Sequence, residues 1–368
     1  MRLSIWALYL ILFPIQLLPQ GSPQIADYFL LIGMIYMFVR FILQKSDIVL
    51  NNYYLSGAFL FSIYSLGISL VFYVISLDFK FLIASFNYIY CFLCLYYVAE
   101  LAQKKLFFQI TFLSIIITLG LQLFLFFKTG LNYDSGRYMI MFQNPNQLGF
   151  WGLIIFLILL VIKDKIILKR YFFFYGCLIL SSFFILVSIS QAAILSLILI
   201  LLFLLFRKSS KIFVLAFLTF IISIIVFLDF SKLNENLVTK AIVTRFESDL
   251  LNKNDNDNNL EARNYSRIWE NPEYLIFGAG ESGLSRFGND SNEIHSTFGS
   301  LLFSFGLIGF LLFFIPLLKV SLFPIRLNSY IFMFFLLFTL AHNVLRWPLF
   351  WIIPYLMFCI KKNSYVRN

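Results

Sequence analysis

A histidine, a glutamate and two hydroxyl residues stand together at the entrance to a long apolar run. The stretch reads SNEIHSTFGSLLFSFGLIGF, from Ser291 to Phe310, and it holds one of the two histidines in the chain. Ser296 or Thr297 can cap the helix that follows. His295 can remove a proton from a substrate hydroxyl or position that hydroxyl, with Glu293 as an orienting partner. His295 is therefore a candidate catalytic residue, although a solvated loop histidine has the same local sequence.

Arginines form the second group of candidates. Arg263 and Arg267 precede the stretch ENPEYLIFGAG, in a segment of 230–296 that holds seven basic and eleven acidic residues. Arg137 lies just before FQNPNQLGFW. Guanidinium groups bind pyrophosphate or an acidic sugar in a planar, bidentate way, which explains several arginines in an acidic loop better than solvation does. We expect Arg267 to stabilise leaving-group charge, and Arg137 and Arg263 to bind substrate.

The stretch FQNPNQLGFW predicts the start of a helix with a free amide end. Asn144 suits the cap and Pro145 suits the first helical position. The cap gives Asn146 no structural task, so we assign Asn146 to substrate binding. The helix N-terminus offers free amides to an anion near Arg137.

The stretch GAGESG, from Gly278 to Gly283, fits the G-x-G-x-x-G pattern of dinucleotide sites. That site needs a βαβ unit, and the next long element here is a membrane helix. A glycine-built turn is the better interpretation, and Gly278 and Gly280 would let backbone amides approach a phosphate. We expect no cofactor.

Two other polar spots complete the candidate site. His342, Asn343 and Arg346 interrupt the last apolar segment, and SISQ lies between two earlier ones. We expect His342 and Arg346 to bind substrate together with Glu293. The acidic run at 255–257 resembles a metal-binding Asp-x-Asp but lies in the low-complexity stretch NKNDNDNN, so no metal site is predicted.

The elements that must position these groups are membrane helices. The chain is 61% hydrophobic and 12% charged, which leaves too few polar groups to cover a soluble globule. Apolar runs of about 20 residues recur, long enough to cross a hydrocarbon core of about 30 Å. The fold class is an all-α polytopic membrane protein, with twelve transmembrane helices near 3–18, 24–43, 54–76, 81–99, 106–127, 146–162, 171–188, 190–206, 211–229, 297–317, 327–341 and 347–360.

The distribution of Lys and Arg sets the orientation. With the N-terminus inside, the inner segments hold 17 of the 28 basic residues, the short outer loops four and the long loop seven. Short cytoplasmic loops collect such residues, so both termini are predicted to be cytoplasmic. The net charge of +10 is explained by this bias and does not indicate nucleic-acid binding.

A single membrane domain is predicted, with one large loop on the outer side. Residues 1–229 form helices 1 to 9, residues 230–296 the loop, and residues 297–368 helices 10 to 12. No carboxylate, Lys or Arg falls in the middle of a predicted span. Proton- or ion-coupled transporters usually need such residues, so their absence argues against a transporter.

These motifs resemble the O-antigen ligase and polysaccharide polymerase superfamily. IHSTFGSLLFSFGLIGF resembles its signature of a His followed by glycines, here Gly306 and Gly309. FQNPNQLGF resembles its Asn-Pro-Asn helix start, and RIWENPEYLIFGAG its Arg-x10-Gly segment, here Arg267 and Gly278. The resemblance covers about 137–310 and implies a GT-C-like membrane fold.

The chain departs from the family pattern at two positions. Gln191, in SISQAA, stands where the family often has an arginine, which removes one expected phosphate contact. Ser304 replaces a common acidic residue. The missing arginine and the short chain favour a polymerase over a ligase.

The resemblance implies a metal-independent, inverting glycosyltransferase of the bacterial inner membrane that acts on the outer side. Its partners would be undecaprenyl-pyrophosphate-linked oligosaccharides, membrane lipids and a chain-length regulator protein. A polymerase joins such a glycan to a second lipid-linked repeat unit. The alternatives are a ligase, which passes the glycan to lipid A-core or another acceptor, and a flippase for lipid-linked oligosaccharides.

Overall fold

The structure is a computed structural model that describes residues 2–19, 21–44, 52–129, 137–166, 171–206, 264–287, 293–322 and 327–365. Within these ranges the chain is a bundle of apolar helices. They are α1 (Arg2–Leu12), α2 (Ile25–Gln44), α3 (Tyr53–Ser76), α4 (Lys80–Leu101), α5 (Phe107–Thr129), α6 (Pro145–Ile162), α7 (Tyr171–Val187), α8 (Gln191–Phe206), the short α9 (Ser266–Glu270), α10 (Thr297–Leu322), α11 (Leu327–Ala341) and α12 (Pro348–Tyr365).

These helices confirm a polytopic all-α membrane protein. Among the described residues, five segments are long and apolar enough to cross a membrane, and six further apolar helices are shorter. The five are Tyr53–Ser76, Lys80–Leu101, Phe107–Lys128, Pro145–Lys165 and Thr297–Val320. Every predicted span coincides with a helix except the ninth. That span, at 211–229, lies outside the described residues, as do Arg263 and the acidic run at 255–257.

Local sequence explains where several helices begin and end. The Asn144 side chain accepts from the Gln147 amide at 2.9 Å and Pro145 opens α6, as predicted. Helix α1 ends at Leu12, earlier than the predicted residue 18. Pro14 explains the difference, because it disfavours helical geometry in the residue before it and cannot donate a backbone hydrogen bond.

The connections that the sequence assigns to the outer side meet at one end of the bundle, which we call the outer end. Three hydrogen bonds join them in pairs: Gln16 N to Met141 O (3.1 Å), Arg137 Nε to Ser188 O (3.1 Å) and Ser282 Oγ to Lys80 O (2.9 Å). At the opposite, inner end, Arg2 pairs with Glu100 at 3.0 Å and the Tyr355 hydroxyl reaches Ala99 O at 3.5 Å. The first and last helices therefore place both ends of the described chain on the same side.

Helices α11 and α12 form a hairpin whose tip, residues 342–347, lies inside the bundle. The Cys91 thiol donates to Leu345 O at 3.8 Å, and Cys91 lies at the middle of the 22-residue α4. The sequence interpretation placed this tip on the outer side and did not predict its depth. Hydropathy marks each apolar run separately and contains no information on how far a short helix such as the 15-residue α11 reaches.

Helix α10 is interrupted at Gly306, and the segment 275–280 fills the break. Gly306 has φ 63° and ψ −174°, which frees neighbouring backbone groups from the helical ladder. The amides of Ala279 and Gly280 donate to Phe303 O and Ser304 O at 2.9 Å each. In return the Leu307 amide donates to Leu275 O at 2.7 Å, and the Ile308 amide to Ile276 O at 3.3 Å. This exchange satisfies non-helical backbone that water cannot reach.

The same segment reaches the middle of the bundle. Tyr64, halfway along α3, donates its hydroxyl to Phe277 O at 2.9 Å. The side chains of Ile276 and Phe277 are more than half exposed, and both are apolar. We infer that they face lipid at this height.

We predict that Gly306→Ala and Gly278→Ala each destabilise the protein by at least about 2 kcal/mol, because both glycines have positive φ and strained backbone costs roughly 1–3 kcal/mol. An added Cβ would also meet backbone, that of Ile276 beside Gly306 and that of Phe305 beside Gly278. Thermal melting of the detergent-solubilised protein measures the effect.

Gly67→Ala and Gly120→Ala are matched controls, because a Cβ there meets nothing within 4 Å. Both lie inside regular helices, so alanine should be neutral or stabilise by up to about 1 kcal/mol. A Gly306→Ala protein that melts with the wild type would show that α10 runs without the break.

Candidate functional site

His295 projects from a backbone whose neighbouring residues are held in place. Ile294, Ser296 and Thr297 are buried, whereas His295 is exposed. Ile294 O accepts from the Ser300 hydroxyl at 2.9 Å and from the Ser296 amide at 2.8 Å. The Ser296 hydroxyl accepts from the Gly299 amide at 3.0 Å and thereby caps α10. The imidazole is thus presented to solvent from a fixed position at the start of α10.

The hairpin tip is hydrogen-bonded to this start of α10. The Thr297 hydroxyl donates to His342 O at 2.9 Å and accepts from the Val344 amide at 3.1 Å. The Asn343 side chain donates to the Ser300 hydroxyl at 3.1 Å. His342 and His295 are therefore held on two segments that are joined directly by hydrogen bonds.

Arg346 extends from the tip and joins two glutamates of the long loop. Its Nη2 lies 2.6 Å from Glu293 Oε1 and 2.9 Å from Glu281 Oε1, and its Nε donates to the same Glu281 oxygen at 3.1 Å. The predicted residues Glu293 and Arg346 are thus in contact. The ion pairs connect the loop before α10 to the hairpin tip.

Glu281 is the residue that sequence reasoning missed. Its side chain is 4% exposed, and burial raises the pKa of its carboxyl while nearby Arg346 acts to lower it. Burial has the larger effect. The sequence does contain one sign of it. Glu281 is the only charged residue in the glycine-rich stretch GAGESG, and a glycine turn does not need a charge.

A second polar group lies where the connections before α6 and α8 meet. Arg137 donates through Nη2 to Asn146 Oδ1 at 2.7 Å and through Nε to Ser188 O at 3.1 Å. Arg137 is largely buried. The structure therefore brings together Arg137 and Asn146, both of which the sequence assigned to substrate binding, beside the N-terminus of α6.

Aromatic stacking links this second group to the hairpin tip. Phe150, one turn below Asn146 on α6, stacks on Phe338 of α11 at 4.7 Å between ring centroids. His342, one turn above Phe338, contacts the same ring at 4.7 Å. Residues four apart share a helix face. Asn146 precedes Phe150 by four residues and His342 follows Phe338 by four, so both lie on the outer side of the stacked rings. Trp347 also packs on Phe150, at 5.1 Å.

Arg267 and the two glycines are close to this region through the loop. Arg267 lies in α9 and is 4% exposed. The residue two before it, Tyr265, donates its hydroxyl to Leu340 O of α11 at 3.2 Å. Gly278 and Gly280 lie in the segment that fills the break in α10, where their amides donate to Tyr274 O and Ser304 O. Within the protein these amides are engaged with backbone rather than with an anion.

The arrangement combines an exposed imidazole, buried arginines and a carboxylate pair around the hairpin tip. A neutral imidazole can accept a proton from a hydroxyl, and buried guanidinium groups can stabilise a departing anion. Among the described residues, no group of three or more His, Cys, Asp and Glu side chains is placed to hold a metal ion. The chemistry that these groups fit is transfer to a hydroxyl from a carrier with an anionic leaving group.

We predict that Arg346→Gln destabilises the protein by about 3–5 kcal/mol, because Glu281 then stays buried without its cation. The pKa of Glu281, already raised in the folded state, should rise further, so the folded protein binds more protons than the unfolded chain and loses stability as pH rises. Thermal melts at about pH 5 and about pH 8 should show the larger deficit at the higher pH.

The double variant Glu281→Gln with Arg346→Gln is the control, since it removes both charges and should recover much of the lost stability. An Arg346→Gln deficit that does not change with pH would contradict the account.

Comparison with known proteins adds one finding. No curated protein and no solved structure matches the chain. A family model described as O-antigen ligase matches residues 176–314, which run from α7 through the long loop and into α10. The match supports O-antigen ligase-type or polymerase-type glycosyl transfer in general. Residues 176–314 thus carry the sequence pattern of the O-antigen ligase family, which confirms the resemblance to the O-antigen ligase and polysaccharide polymerase superfamily.

Proposed function

We propose that this protein is a polysaccharide polymerase of the bacterial inner membrane. It transfers an undecaprenyl-pyrophosphate-linked glycan to a lipid-linked repeat unit on the outer face, with inversion and without a metal ion. The observation that carries the proposal is the exposed His295 between buried neighbours, fixed beside a hairpin tip that bears His342 and Arg346. The family match supports glycosyl transfer in this part of the chain.

The proposed reaction is a single displacement at the anomeric carbon. A hydroxyl oxygen of the acceptor sugar forms the new bond to that carbon, while the bond from the carbon to the pyrophosphate oxygen breaks. His295 takes the hydroxyl proton, and undecaprenyl pyrophosphate leaves with the electron pair. Attack opposite to the leaving group inverts the anomeric configuration. The protein's main contribution is to hold the two sugars in line.

Arginine side chains would stabilise the departing pyrophosphate. Arg137 and Arg267 are both buried, and a charge in a water-poor site acts more strongly on a developing anion than one in bulk water. Asn146, bonded to Arg137, would fix the direction of that guanidinium. His342 would bind substrate from the hairpin tip.

The environment of Arg137 also bears on the choice between polymerase and ligase. Arg137 bonds to Ser188 O, and Gln191 begins α8 three residues later with an exposed position. The family often has an arginine at this place, so the chain has one cation fewer next to Arg137. The proposal of a polymerase over a ligase is supported by this difference.

We predict that His295→Ala abolishes chain growth while the protein remains in the membrane. Loss of a positioned general base lowers a rate by about 100- to 10,000-fold. The imidazole is exposed, so its removal leaves the surrounding hydrogen bonds intact. The length of the glycan on gels and the amount of protein on immunoblots measure the two effects.

Glu273→Gln is the matched control, because Glu273 is exposed on the same loop. Arg267→Lys tests the guanidinium separately, since lysine keeps the charge and loses the planar pair of donors. Long glycan in the His295→Ala strain at normal protein levels would contradict the assignment of His295 as the general base.

Gene deletion is predicted to separate the polymerase from the other candidates. Loss of a polymerase leaves single-repeat glycan on the final acceptor, whereas loss of a ligase leaves none there. Loss of a flippase leaves lipid-linked repeat units on the cytoplasmic face. Mass spectrometry of the extracted glycolipids, with the complemented strain as control, distinguishes these outcomes, and we expect the first.

A further inference from the structure

Arg286 lies among aromatic rings on the loop before α10, and the steps above do not use it. Its guanidinium carbon is 4.4 Å from the ring centroid of Phe72 and 4.7 Å from that of Phe287. The ring centroids of Phe81 and Tyr274 are 5.1 and 5.8 Å away. A guanidinium is attracted to the face of an aromatic ring, so these four rings hold it in one place before any ligand binds. We call this group the Arg286 cage.

The caged guanidinium keeps donors that the protein does not use. Its Nη2 donates to Ala279 O. Among the described residues, no other hydrogen bond and no ion pair includes Arg286. The residue is exposed, so its remaining N–H groups can reach a ligand. A planar guanidinium with free donors that is fixed in advance suits the oxygens of a phosphate group.

The surface below the cage is apolar. The loop follows α3 downward, because Tyr274 packs on Phe72 at 6.1 Å and Phe277 O accepts from the Tyr64 hydroxyl. Tyr64 precedes Phe72 by eight residues in the same helix, so Phe277 lies about 12 Å deeper than the cage. The side chains of Phe277 and of the residue before it are apolar and more than half exposed. A phosphate in the cage thus lies above a surface that suits a lipid chain.

The cage and the proposed donor site lie on different sides of the hairpin tip. Arg137 bonds to Asn146 at the start of α6, whereas Arg286 packs on α3 and α4. Helix α12, which follows the tip, packs against both α4 and α6. The bundle therefore has room for two phosphate-bearing ligands, one on each side of the tip.

The cage is also close to the residues beside His295. Phe287 of the cage packs on Phe303 at 5.1 Å. Phe303 lines a narrow cleft together with Ile294, the residue before His295. One further ring thus separates the cage from the wall of this cleft. A ligand whose head lies in the cage could extend from there to the histidine.

The proposed polymerase reaction requires a second carrier to be bound. The donor loses its pyrophosphate in the reaction. The acceptor keeps its own carrier at one end of the repeat unit and attacks with a hydroxyl of a sugar further along. The acceptor pyrophosphate must therefore lie near His295 but away from the reacting atoms and from the donor pyrophosphate.

We propose that the Arg286 cage binds the carrier pyrophosphate of the acceptor, and that the isoprenoid chain lies against Phe277. The inference rests on the proposed polymerase function and gives its second lipid-linked substrate a site of its own. Basic groups at the membrane surface also attract phospholipid head groups, so the experiment must separate the carrier from a phospholipid.

The number of carrier molecules that the protein binds tests the proposal. Full-length protein in phosphatidylcholine nanodiscs is titrated with undecaprenyl pyrophosphate, and native mass spectrometry counts the bound molecules. We expect two for the wild type and one for Arg286→Gln. The affinity of the lost molecule should fall by about tenfold or more, the effect of removing a charged hydrogen-bond donor.

Lys128→Gln is the matched control. Lys128 is also an exposed cation at the outer end and lies over one ring, that of Phe124, at 6.0 Å. This variant should bind two carriers. The carrier that Arg286→Gln retains shows that the variant is folded. An excess of phosphatidylglycerol should displace neither carrier from the wild type.

Three results would overturn the proposal. The first is a wild type that binds a single carrier. The second is an Arg286→Gln protein that binds two carriers or none, because the cage is then either not needed or not separate from the donor site. The third is displacement of one carrier by phosphatidylglycerol, which would make the cage a phospholipid site.

The test is independent of the proposed function. If the His295→Ala strain still makes long glycan but Arg286→Gln loses one carrier, the assignment of His295 fails and the carrier site stands. If chain growth needs His295 but Arg286→Gln binds two carriers, the carrier site fails and the proposed transfer stands.

Discussion

The hydrogen-bond exchange at Gly306 is the constraint on which the site depends. Lipid and buried protein offer no water to unpaired amides, so a break in a membrane helix is stable only if another segment completes the pairing. The segment 275–280 does so with four backbone bonds to α10. Because the chain must pass through this break, the next residues emerge at a fixed place. Glu281 is the first of them with a charge.

That placement accounts for the contacts above it. Glu281 is held inside the bundle, where an isolated carboxylate is costly, and Arg346 reaches it from the hairpin tip. Breaking a buried ion pair costs more than the pair contributes, so its main effect here is to fix which segments meet. The same guanidinium holds Glu293, and the tip bonds to Thr297 and Ser300 around His295. The break at Gly306 thus fixes the position of His295 through Glu281, Arg346 and the hairpin tip.

The sequence predicted those features that depend on short stretches of chain. Hydropathy placed the described helices other than the short α9, and Asn144 was identified as a cap. The Lys and Arg pattern grouped the loops that meet at one end of the bundle. It did not predict the depth of the hairpin tip, since that depends on where Leu345 packs against α4. It also missed Glu281, whose partner Arg346 is 65 residues away. Interactions between distant segments leave no local pattern.

The depth of the tip also changes one argument about function. The sequence shows no charge in the middle of a span, yet Arg346 follows Leu345, whose carbonyl bonds to the middle of α4. Arg346 lies in the loop between two short helices and not within a predicted transmembrane segment. A search of those segments for charged residues therefore does not find it. Such a residue marks a polar pathway or a substrate site within a membrane protein. Here both of its carboxylate partners come from the loop that carries His295, and the charge therefore joins that loop to the hairpin tip.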